Sequence, residues 1–86
     1  MSDFEKLKEL LEKISVKYNC KIWIAQKIGK RISFINKLKA GKEYFLPPKI
    51  LWENENFVIF SENLNSLDAE LQQLLNEVID IVRNIK

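Results

Sequence analysis

The chain opens with apolar residues at helical spacing. Phe4, Leu7, Leu10, Leu11 and Ile14 recur every three or four positions and continue toward Tyr18, which predicts an amphipathic helix over residues 1–19. Ser2 and Glu5 have the spacing of a capping box, and Asn19 offers a stop. Near the other end, Leu67, Leu71, Leu74, Val78, Ile81 and Ile85 step by alternating fours and threes. This heptad seam predicts a helix over 65–86, capped by Asn65 or Ser66. Leu75, Ile79 and Val82 widen the seam, so part of it is expected to pack within its own domain. Dimerisation through Leu71, Leu74, Val78, Ile81 and Ile85 is the expected use of the rest.

The middle of the chain admits two patterns. Read as helices, Ala25 is small enough to let a second helix cross closely, and Gly29 can take the left-handed conformation that turns the chain. Ile24 and Ile28 then face inward from one helix, and Ile35 and Leu38 from the next, giving a helix-turn-helix over 21–41. Residues 43–60 follow as a hairpin or wing, with aromatic and β-branched residues on either side of Glu53-Asn54-Glu55-Asn56. Pro47 and Pro48 would confine its strands to an edge or interrupt them. The fold expected on this pattern is mainly α: a helix-turn-helix domain with a possible β-hairpin wing and a C-terminal helix, all in a single domain 1–86. Read as strands, Lys21 to Ile28 and Arg31 to Leu38 are rich in Ile, Trp and Phe and hinge at Gly29-Lys30. The alternative is therefore α+β, a four-stranded antiparallel meander flanked by two helices.

Composition narrows the chemistry. The chain has 86 residues, 47% of them apolar and 30% charged, with two Gly and two Pro, the balance of one small folded domain. A single cysteine and no histidine exclude an internal disulfide and a structural zinc of N and S ligands, so no metal is expected. The N-terminus has no basic region followed by an apolar one, and no apolar run approaches a membrane span. The cytoplasm is the expected location. With no histidine, no Gly-rich phosphate loop and no nucleophile beside a base, neither catalysis nor a cofactor is expected. Cys20 reads as a small buried apolar residue, and Glu53 and Glu55 as solvated turn residues.

The net charge of +2 conceals a division. Residues 1–12 carry −2, residues 13–49 carry ten cations against Glu43 alone, and residues 50–86 carry −5. A +9 block of 37 residues is the footprint of a polyanion binder. On the helical pattern, the outward face of the second helix carries Arg31, Ser33, Phe34, Asn36 and Lys37. Arg suits guanine, Asn suits adenine, and Phe34 can touch a thymine methyl. Lys21, Gln26, Lys27, Lys30, Lys39 and Lys42 surround them as phosphate contacts.

Ala25-x-x-x-Gly29, Ser33-x-Ile35-Asn36-Lys37 and Ala40-Gly41-Lys42-x-x-Phe45-Leu46 together resemble the lambda Cro and xenobiotic-response-type family of phage repressors, over about residues 24–46. The resemblance implies a second helix in the major groove, base contacts from Arg31, Ser33, Asn36 and Lys37, a phosphate contact from Gln26, and an association strand around Phe45. Lys30 stands where the family usually has an apolar residue, and Ile32 where a polar one is common. The expected function is a sequence-specific DNA-binding transcriptional regulator, a small dimeric repressor whose partners are double-stranded DNA and a second copy of itself. On the α+β pattern the expectation is instead a protein-interaction or RNA-binding module, such as a phage-encoded inhibitor, with Trp23 and Phe34 as sheet core or exposed platforms.

Overall fold

The computed structural model describes residues 3–64 and 67–84, with the side chains of Phe34, Asn36 and Lys37 not among those described. The expected caps Ser2, Asn65 and Ser66, and the seam residue Ile85, lie outside the described residues. Six elements follow one another: α1 (Asp3–Tyr18), β1 (Lys21–Ile28), β2 (Arg31–Ala40), β3 (Lys49–Glu53), β4 (Phe57–Glu62) and α2 (Ala69–Arg83). The fold is therefore α+β, and the mainly α helix-turn-helix expectation is corrected: residues 21–40 form a β-hairpin. The strands are antiparallel throughout but do not make a meander. Their order is β2-β1-β4-β3, so the chain crosses from one sheet edge to the other between β2 and β3.

The hairpin wins because its residues suit a strand on both faces. Ile22 and Ile24 point into the main core, while Trp23 and Ala25, one residue out of phase, are also buried. Two apolar phases in succession describe a central strand, which β1 is, flanked by β2 and β4. Gly29 has φ +60 at the first position of the two-residue turn between Ile28 and Arg31, the place where a hairpin turn wants glycine. The inward set expected for the helical pair is accordingly revised. Ile24 and Leu38 are buried and Ile35 is half-buried, but Ile28 is 57% exposed beside the turn.

Both helices lie on one face of the sheet. Leu7, Leu11 and Ile14 of α1 and Leu71, Leu75 and Val78 of α2 share a single core with Ile22, Ile24, Leu38, Phe57 and Ile59. Asn19, at φ +51, ends α1 in the left-handed conformation. Asp68 caps α2, its carboxylate accepting from the Leu71 amide at 2.8 Å and from the Tyr18 hydroxyl at 2.8 Å. This one side chain both starts α2 and ties it to the end of α1. The expected dimer seam is corrected for the same reason that the core exists: Leu71, Leu74 and Val78 are 0%, 9% and 0% exposed in the single chain, and Ile81 packs half-buried against the same core. The chain returning from β2 needs Gly41, whose φ is +101 and where a Cβ would lie 2.3 Å from the Cys20 carbonyl oxygen.

Candidate nucleic-acid interface

Pairing parity sorts the β1–β2 hairpin into two faces. Gln26 lies opposite Ser33, and Ile28 opposite Arg31, on the helix side of the sheet. All four are exposed, so the helical layer stops short of them. Pairing of β1 with β4 also ends at Gln26–Phe57, and beyond it Lys27 is held through its amide by the Asn56 carbonyl at 2.7 Å and through its ammonium by Glu53 at 2.7 Å. Residues 28–31 thus project past the sheet by roughly one residue a strand, or ~3 Å, plus the turn, with Gln26 and Ser33 just behind them. One ribbon face presents an amide, a hydroxyl and a guanidinium side by side.

The charges expected to meet phosphates divide into two groups. Lys21 is ion-paired with Glu43, and Lys27 with Glu53 at 2.7 Å, so these two are compensated within the chain. Lys30 and Arg31 at the ribbon tip, and Lys39 and Lys42 toward the other end of β2, are exposed and carry no ion pair among the described residues. Gln26 is exposed on β1 beside them. Of the expected base-reading set, Arg31 and Ser33 are brought together on the ribbon, while Phe34, Asn36 and Lys37 follow along β2, the sheet's edge strand. No helix carries them, so the groove-reading helix implied by the resemblance is corrected to a strand pair. Phe45, expected in an association strand, instead lies in the 41–48 connection, 89% exposed at φ +55.

The sheet face turned away from the helices carries a second feature. Trp23 stacks on Phe60 with ring centroids 5.4 Å apart, an arrangement worth about 0.5–1.5 kcal/mol beyond burial. Lys21 Nζ sits 4.8 Å from the Trp23 ring centre. Lys21 and Trp23 border a cavity of about 440 Å³ that is also lined by Ile24, Ile35, Lys39, Glu43 and Glu62. Glu62 is 8% exposed and accepts from the Tyr44 amide at 3.2 Å. The buried Trp23 Nε1–H has no acceptor among the described residues, a loss of about 1–3 kcal/mol for an orphaned donor. Sequence reading missed Glu62 and the cavity. The available signal was strand parity, which puts Lys21, Trp23, Glu62 and Phe60 on one face once β1 and β4 are paired.

Comparison with protein-family models, curated proteins and solved structures returns no match for this chain. Its function must be argued from its own surface. Among the described residues there is no cluster of metal-ligating side chains and no helix long and apolar enough to cross a membrane. Cys20 is buried and its thiol pKa is raised by that burial, which opposes thiolate formation.

Proposed function

We propose that this chain is a sequence-selective double-stranded-DNA-binding regulator, acting in the cytoplasm, that inserts the β1–β2 ribbon into the major groove. The observation that carries the reading is the exposed hairpin face of Gln26, Ser33 and Arg31, with Lys30, Lys39 and Lys42 on the same hairpin and its return carrying no ion pair among the described residues. A two-stranded ribbon fits the ~12 Å major groove of B-form DNA, where glutamine suits adenine, arginine suits guanine and serine suits either. The deep, narrow major groove of an RNA duplex admits no such element, which favours DNA. Occupancy of a binding site is the mechanism, and nothing in it requires catalysis.

Fluorescence anisotropy of labelled duplexes tests the proposal, with Arg31→Ala and Gln26→Ala read against Lys42→Ala. Loss of preference among sequences in the first two, and uniform weakening in the third, is the expected pattern. Absence of binding at low salt would overturn it. In that event the open outer edge of β2, ten residues long, favours the second reading, a protein-interaction module that pairs with a strand of an acidic partner.

A further inference from the structure

We infer that the cavity on the helix-free face of the sheet is a binding site for a single nucleotide whose base carries an amino group. The inference goes beyond the ribbon reading, because Trp23 and Glu62 make no part of the proposed duplex-binding surface, which shares only Lys39 with the cavity. Three incomplete groups border or lie beside the space. Among the described residues, the buried Trp23 Nε1–H has no acceptor, the buried Glu62 carboxylate has no paired cation, and the exposed Lys39 has no ion pair. The volume, about 440 Å³, lies within the ~300–1,000 Å³ of small-molecule sites.

The chemistry of these groups selects the ligand. A carboxylate accepts from an amino-bearing base edge, as it does from cytosine N4. The Trp23 Nε1–H calls for a neighbouring carbonyl or ring-nitrogen acceptor, and Lys39 calls for an anion. A second recess shares Lys21, Lys39 and Glu43 with the cavity and is lined further by Lys42 and by Glu12, Ser15 and Val16 of α1, so Lys39 and Lys42 are the cations a phosphate leaving the cavity would meet there. An amino-substituted base with its phosphate satisfies all three groups, whereas uracil offers Glu62 a single imide N–H in place of an amino group. The nucleotide can be free or an unpaired unit of a strand, and the chemistry is the same.

The test uses the full chain with Trp52→Phe, which leaves Trp23 as the sole tryptophan of the two. Its emission is titrated with guanosine, cytidine, adenosine and uridine monophosphates. Saturable responses to the amino-bearing nucleotides, at least about tenfold tighter than to uridine monophosphate, are expected from a hydrogen bond to a charged acceptor. Glu62→Gln, checked for folding by circular dichroism, should flatten that preference. Lys39→Ala, at an exposed position, should weaken nucleotides but not the matching nucleosides. Silence of Trp23 toward all four nucleotides up to ~10 mM, or an equal response to all four that Glu62→Gln leaves unchanged, overturns the site. Duplexes with and without one unpaired nucleotide then tell the sources apart. Tighter binding of the bulged duplex marks a strand, and equal binding marks a free nucleotide. Arg31→Ala keeps the two proposals separable, since it should weaken duplex binding and leave mononucleotide titrations unchanged.

Discussion

The two hairpins of the sheet are built alike and charged oppositely. β1–β2 and its exit, residues 21–42, hold seven cations and no acid, whereas β3–β4 with its flanks, residues 43–64, holds Glu43, Glu53, Glu55 and Glu62 against Lys49. They also end differently. The β3–β4 turn is closed by Asn54, whose side chain accepts from the Asn56 and Phe57 amides at 2.9 and 2.7 Å. The β1–β2 turn projects with exposed Ile28, Lys30, Arg31 and Ile32. Glu53 neutralises Lys27 beside the β1–β2 turn and Glu43 neutralises Lys21 at the other end of β1, so the acidic residues hold both ends of β1, while Lys30 and Arg31 carry no ion pair among the described residues. Folding and binding are thereby assigned to different parts of one sheet.

Substitutions should separate these roles, beginning with the largest effect. Ile59→Ala, at a fully buried position in β4, should cost about 2–5 kcal/mol of unfolding free energy in denaturant titration. Gly41→Ala meets the Cys20 carbonyl at a positive φ and should cost about 1–3 kcal/mol or prevent folding. Gly29→Ala, at φ +60 with nothing within 4 Å, should cost less, about 1 kcal/mol, because only the backbone conformation opposes it. Arg31→Ala should change stability by less than about 0.5 kcal/mol while weakening binding to a preferred duplex by about 1–3 kcal/mol. The reversal Glu55→Lys, at the β3–β4 turn beside the basic one, should leave duplex binding no weaker, and a loss there equal to that of Arg31→Glu would break the comparison.

The smallest effect concerns the helix layer. Its bond from the Leu71 amide and its bond from the Tyr18 hydroxyl both hold the Asp68 carboxyl below its ordinary pKa. Because the folded-state pKa is the lower one, the stabilisation is present above the unfolded carboxylate value and is lost as pH falls through the folded one. Thermal melts should therefore show the gap between wild type and Asp68→Ala closing in that acidic range. Tyr18, whose pKa is raised by desolvation and then by the same hydrogen bond, should keep its hydroxyl proton above the usual tyrosine range.

Legibility in the sequence followed periodicity. The stripes of α1 and α2 are unambiguous because polar residues separate them, and Leu7, Leu11, Leu71 and Val78 are buried in the core. Residues 21–38 were ambiguous because Ile24, Ile28, Ile35 and Leu38 satisfy helical spacing, while Ile22, Trp23 and Ala25 fill both faces of a central strand and hide its alternation. The alternative α+β pattern placed the hinge at Gly29-Lys30, where the turn lies. Strand order was not legible: nothing local in β1 or β4 shows that they pair with each other across the intervening β2 and β3, which go to opposite edges. The basic block was visible, but Lys21 and Lys27 could be seen as compensated only once Glu43 and Glu53 were brought beside them.

Backbone amide chemical shifts, followed while an unlabelled duplex is titrated into the ¹⁵N-labelled chain, test the division between the hairpins most directly. The account predicts that the largest shifts fall at residues 26–33 and along β2 and diminish with added salt, while β3, at the far edge of the sheet from β2, is unmoved. Shifts centred on the β3–β4 hairpin, or none at low salt, would contradict it.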